Sequence, residues 1–171
     1  MNNRIVGVRF NHCIYIILLF MLYVVPIKGQ AQTALTISGD VMMPLTLQEA
    51  EMKNMPHIEV TAKDHDGKDH RYSGIALVDL LKQAGTTLGG ELRGKNLRKF
   101  VLVKGADNYE VLFALPELDP EFSNQTILLA DSVDGAPLVP GAGPYRVVVP
   151  VEKRPTRWVR NVKSIEVRLA P

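Results

Sequence analysis

An arginine sits inside the apolar run from Tyr145 to Val149, and a basic cluster follows beside the only tryptophan of the chain. Val147, Val148 and Val149 continue from Arg146 without a polar break, as in a strand covered on both faces. A guanidinium placed there loses hydration, and a buried cation without a partner is strongly unfavourable. Its partner is therefore a ligand anion or a carboxylate of the protein, with Asp79, Asp131 and Glu166 as examples. Lys153, Arg154, Arg157, Arg160 and Lys163 have only Glu152 nearby in sequence to offset them. Guanidinium forks hold phosphate through parallel hydrogen bonds, so this cluster suits a phosphorylated ligand, although a solvated loop and strand edge explains it equally. Trp158 is either a stacking face for a ligand or an aromatic of the core. Gly141 and Gly143 in "GAGPY" lack the Cβ that keeps backbone amides away from an anion, and a plain turn leading through Tyr145 into a strand is the alternative.

A second group of polar residues, "DHDGKDH", gathers Asp64, His65, Asp66, Asp69 and His70. Imidazole and carboxylate suit zinc, copper or nickel, but a hairpin tip points alternate side chains apart and the spacing is not that of a calcium loop. The residues read better as a polar turn. No serine stands in a nucleophile-elbow context, which leaves a serine hydrolase without support.

The first residues have the three-part layout of a secretory signal peptide. Arg4 and Arg9 precede the apolar run from Cys13 to Val25, and Gly29 and Ala31 supply small residues for a cut after Ala31. The run is short of the ~20 residues of a comfortable membrane span. An uncleaved anchor is the alternative. Cleavage predicts a periplasmic or secreted protein with a signal peptide over residues 1–31, one domain over 32–171 and no membrane span. Cys13 is the only cysteine of the chain, so the exported part has no disulfide, thiolate ligand or cysteine nucleophile. Losing Arg4, Arg9 and Lys28 leaves 17 of the 20 basic residues against 18 acidic ones, and the formal charge falls from +2 to −1. That balance disfavours a general nucleic-acid binder.

These residues must be positioned by an α+β fold. "ALTISG" and "HIEVTAK" alternate as half-buried strands, and Asp66-Gly67 marks a hairpin turn. "PLTLQEAEMKN" predicts a helix from Leu47 to about Asn54, with Thr46 as N-cap and Glu49 completing a capping box. Leu77, Leu80, Leu81 and Ala84 fall on one helical face, with Gly85 as the stop. "KFVLVKGADNYEVLFAL" predicts a hairpin from Phe100 to Ala114, "PELDPEFSNQ" an irregular connection, and "TILLAD", "YRVVVP" and "SIEVRLA" three further strands. Strands outnumber helices, which favours one domain rich in mixed sheet. The regular alternation and glycine loop of a doubly wound nucleotide fold are missing.

Together these pieces resemble the molybdopterin-binding domain of the sulfite oxidase superfamily. The resemblance runs from "LTISGDV" and "LTLQEAE" through "YSGIALVDLLKQAG" and "ADNY" to "ILLADSVDGAPLVPGAGPYRVVVP" and "TRWVRNVKSIEV". It implies that Arg146, and Arg157 before the tryptophan, lie near a pterin cofactor and its phosphate. It also implies a molybdenum-ligating cysteine at the end of the strand before "YSG". No cysteine stands near Thr61 to Lys63, and the loop after "VVP" is altered to "VEKRP". Without its soft anionic ligand, molybdenum is not expected.

The expectation is an exported binding protein of this fold, without independent redox catalysis. A pterin such as molybdopterin, or another small anionic ligand, would be held by Arg146, Arg157, Gly141, Gly143, Tyr145 and Trp158, with no catalytic or metal-binding residue. The alternatives are a molybdopterin-dependent oxidoreductase and an interaction subunit for a periplasmic redox partner.

Overall fold

The computed structural model describes residues 34–171, so the export segment read at residues 1–31 lies outside the described residues. Alternating apolar residues build the first sheet. β1 (Leu35–Gly39) buries Leu35 and Ile37, and β10 (Val162–Leu169) buries Val162, Ile165 and Val167. These two strands pair in parallel. β2 (Leu45–Leu47) flanks β1, while β5 (Lys99–Gly105) and β6 (Glu110–Ala114) continue the sheet beyond β10. β5 and β6 form the expected hairpin, with Asn108 in the left-handed region at its turn.

The second sheet runs β3 (Ile58–Lys63), β4 (Asp69–Ala76), β7 (Leu128–Val133) and β8 (Ala136–Pro137), and β9 (Arg146–Val148) also pairs with β7. The β3–β4 hairpin turns at Asp66-Gly67 as expected, with Gly67 at φ 78°. All three residues of β9 are buried. One continuous hydrophobic core includes side chains from both sheets, which makes the architecture α+β with a mixed sheet.

Gly74 explains why the Tyr-x-Gly sequence of β4 matters. A Cβ there would fall 2.2 Å from the Leu129 carbonyl oxygen and 2.5 Å from the Ala130 Cα. Only glycine lets β4 lie this close to β7, beside the irregularity that shifts their register between Ser73 and Gly74.

Two local expectations need correction. The first helix does not begin at Leu47 with Thr46 as its cap. Leu45–Leu47 pairs with β1 instead, and α1 spans Glu49–Lys53 behind Gln48, whose N–H donates to Glu51 Oε2 at 2.7 Å. A sheet edge gives Leu47 a buried position and outweighs the local helical preference. The helix expected on the face of Leu77, Leu80 and Leu81 is present as α2 (Leu77–Gln83), which starts directly from β4. Gly85 follows it at φ 70°, and the Gly85 and Thr86 N–H groups donate to the Lys82 and Leu81 carbonyls, closing the helix with a Schellman motif. Finally, the connection expected to be irregular contains one helical turn, α3 (Leu115–Leu118), where the Glu117 side chain accepts the Ala114 N–H at 3.0 Å.

Among the described residues, no helix is long and apolar enough to cross a membrane.

Candidate functional site

β9 places Arg146 beside Ala130 of β7, and its side chain is only 6% exposed. The guanidinium is answered from within the chain. Its two terminal nitrogens donate to Asp64 Oδ2 at 2.8 Å and Oδ1 at 2.9 Å, a fork-to-fork pair. Asp64 immediately follows β3. It also accepts the Tyr72 hydroxyl at 2.6 Å and the His65 N–H at 2.7 Å. Burial alone would favour the neutral acid, but the bonds from Arg146, Tyr72 and His65 outweigh it and hold the Asp64 carboxyl well below the usual range. Burial and the bond to Asp64 push the Tyr72 hydroxyl upward, so Tyr72 remains a donor.

Arg146 therefore does not pair with Asp79, Asp131 or Glu166. Asp79 is bonded to Lys82, Asp131 to His57 and Glu166 to Arg168. The partnership with Asp64 joins residues 82 positions apart, and no local pattern announces it. Two rings enclose the pair: the Arg146 guanidinium carbon lies 5.0 Å from the Trp158 ring centre and 5.8 Å from that of Tyr72. Those rings meet edge to face at 5.5 Å. Trp158 is thus a core aromatic in contact with Arg146. Arg146 Nε and Trp158 Nε1 are buried donors without a protein partner.

Arg157 belongs to a separate cluster. It ends the short 3₁₀ turn Pro155–Arg157, donates to Glu152 through Nε and to Glu117 at 3.2 Å, and stacks 4.5 Å from the centre of the Phe113 ring. Burial opposes its charge, but the two carboxylates raise its proton affinity overall. Lys153, Arg154, Arg160 and Lys163 are exposed and make no ion pair among the described residues.

The glycine loop uses its own amides. The N–H groups of Ala142 and Gly143 donate to the Val139 carbonyl at 3.0 and 3.2 Å, while Gly141 holds φ 90° at an open, exposed turn. Tyr145 immediately precedes β9. Gly143 and Tyr145 line a cleft of about 550 Å³ with Glu49, Asp131, Leu138 and Val139, residues apart from the Asp64–Arg146 pair.

Two histidines tie down this region: His57, which the sequence did not single out, and His70 of the polar turn. His57 links Asp131 at 2.8 Å to the Met55 carbonyl at 2.7 Å. His70 bridges Asp134 at 2.6 Å and Asp66 at 3.1 Å. The "DHDGKDH" segment is thus an internally bonded turn, and the described residues contain no group of three or more side chains suited to hold a metal.

The donor set does not fit a molybdenum centre of the expected type. β3 ends without a thiolate, and the next residue spends its carboxylate on Arg146. A pterin phosphate would also have to displace Asp64 from Arg146, or Glu152 and Glu117 from Arg157. The two unpartnered donors, Arg146 Nε and Trp158 Nε1, are closed off from solvent.

No curated protein matches the chain. Among solved structures, it is similar to the crystal structure of the sulfane dehydrogenase SoxCD from Paracoccus pantotrophus, with 21% identity and a TM-score of 0.62. That match covers 78% of this chain and 37% of the other, so the chain spans well under half of that relative's length and the likeness is one of fold. The family model described as oxidoreductase molybdopterin binding domain matches residues 23–171, which include every described residue. The chain belongs to the oxidoreductase molybdopterin binding domain family.

Proposed function

We propose that the protein is an exported binding domain of the molybdopterin-binding fold that performs no redox catalysis of its own. The observation that carries this reading is the Asp64 carboxylate seated on Arg146, directly after the strand where the expected cysteine is absent. An internal anion satisfies the cation that would otherwise recruit an external one. Arg146 and Trp158 then serve the fold, Arg157 braces Glu117 and Glu152, and ligand contact passes to Gly143 and Tyr145 on the cleft side. The N-terminal layout of charge, apolar run and small residues supports export to the periplasm or beyond, where a redox protein is a fitting partner.

Pterin binding by an oxidoreductase is the second reading. The family membership and the two buried donors beside Arg146 favour it. It requires Asp64 to release the guanidinium. Elemental analysis and pterin fluorescence after oxidation, performed on protein purified from its native host, separate the readings. Stoichiometric molybdenum with pterin overturns the first.

A further inference from the structure

β3 is an outer strand of the second sheet, and its far side has no neighbour in that sheet. The hairpin register decides which of its backbone groups face that side. Across the turn the Asp64 N–H donates to the Lys68 carbonyl at 3.0 Å, directly beyond the opposed Lys63 and Asp69. Opposed residues of an antiparallel pair alternate between bonded and unbonded, so Ala62, Val60 and Ile58 spend their groups on β4 while Lys63, Thr61 and Glu59 do not. Arg71 fits this pattern. It stands opposite Thr61, yet its carbonyl accepts the Asp134 N–H at 2.7 Å and its own N–H donates to Asp134 Oδ1 at 2.9 Å, both on the β7 side.

Glu59, Thr61 and Lys63 therefore turn their N–H and C=O groups outward, and among the described residues no loop or side chain takes them. Their side chains are exposed on one face of the strand, and Val60 and Ala62 lie on the covered face. Such an edge is a template for another strand, and charges along it normally keep other strands away.

Here the charges are placed to attract a second copy. Two β3 strands running antiparallel about a twofold axis at Thr61 set Thr61 against Thr61, and Glu59 of each copy against Lys63 of the other. Every outward N–H then meets an outward C=O, and Val60 meets Ala62 on the covered face. Opposite charges and paired threonines are both favourable across a strand pair. Moving the axis to Val60 or Ala62 separates Glu59 from Lys63. Within one copy Glu59 lies 3.9 Å from Arg71, an exposed contact that leaves the carboxylate able to face a second cation.

We propose that the protein self-associates as a symmetric dimer, through antiparallel pairing of β3 with β3 of a second copy about Thr61. This goes beyond the binding reading and stands with or without a cofactor.

The test is sedimentation velocity on the protein expressed from the full chain, from roughly 1 µM to 1 mM, because an interface built on one strand pair is small and weak. The expected result is a reversible monomer–dimer equilibrium. Glu59→Lys and Lys63→Glu each set like charges opposite one another twice across the axis, and each should weaken dimerisation by at least about tenfold. Mixing the two variants in equal amounts restores opposite charges at both positions, so a heterodimer should form about as readily as the wild-type dimer. Thr61→Pro removes an N–H that the monomer leaves unused and should abolish dimerisation. Circular dichroism verifies that each variant is folded. A protein that stays monomeric over the whole range, a dimer that survives the single charge reversals or a folded Thr61→Pro variant, or a mixture that stays monomeric overturns the proposal. The first of these outcomes leaves the β3 edge to an extended segment of another protein.

Discussion

Asp64 and Arg146 meet through two hydrogen bonds of 2.8 and 2.9 Å, and the Tyr72 hydroxyl secures the same carboxylate from β4. The pair joins the β3–β4 turn to β9. Breaking a buried pair from one side leaves a charge stranded, so Arg146→Ala should destabilise the protein by about 3 kcal/mol. Removing both charges with Asp64→Ala and Arg146→Met should cost less than the sum of the single changes, as read from urea denaturation in a double-mutant cycle. Strict additivity would show that the pair is not coupled. Because the folded state depresses the Asp64 proton affinity, its contribution is fully present above the unfolded value of 3.8 and is lost as pH falls through the lower folded value.

Arg157 is a third exposed and bonds two carboxylates that are themselves partly solvated. Screening limits such pairs, so Arg157→Ala should cost about 1 kcal/mol, including the lost stacking on Phe113. Binding in the Tyr145 cleft should be unchanged. A large loss of ligand affinity with unchanged thermal stability would instead identify Arg157 as a ligand contact.

Both ring nitrogens of His57 and of His70 face oxygen acceptors, an arrangement that favours the imidazolium. For His57, burial works against the charge, but the bonds to Asp131 and Met55 prevail and raise its proton affinity. Bonds to Asp134 and Asp66 raise that of His70. A raised folded value stabilises the protein fully below the unfolded value of 6.5, and this contribution disappears as pH rises through the folded values. Urea midpoints should therefore decline on the alkaline side of 6.5, and His57→Gln with His70→Gln should flatten that decline. An unchanged slope in the double variant would assign the decline to other groups.

Export predicts that the mature protein begins near Gln32. N-terminal sequencing of protein recovered from the periplasm or medium checks this. Recovery of chains starting at Met1 in the membrane fraction would support the anchor alternative.

Local chemistry made much of the scaffold legible before its three-dimensional arrangement was known. The spacing of Leu77, Leu80, Leu81 and Ala84, the stop at Gly85, the Asp66-Gly67 turn and the alternation of Ile165 and Val167 each depend on neighbours in sequence. Arg146 was legible as a buried cation for the same reason. Its partner was not, because the Asp64 contact depends on how the β3–β4 hairpin lies against β9. His57 and Asp131, 74 residues apart, were hidden in the same way. Thr46 misled because a local capping pattern competed with a sheet edge. The grouping of Gly143 and Tyr145 away from Arg146 was not legible either, because the cleft depends on the positions of α1 and the Ala136–Pro140 segment.

We propose that Asp64 takes on Arg146 the place of a cofactor anion, in a domain whose β3 ends without a thiolate. The most direct test is combined molybdenum and pterin quantification on protein purified from its native host without added cofactor. Neither should be present in stoichiometric amount, and the urea stability of the isolated protein should still depend on Asp64. Stoichiometric molybdenum together with an oxidisable pterin would contradict it.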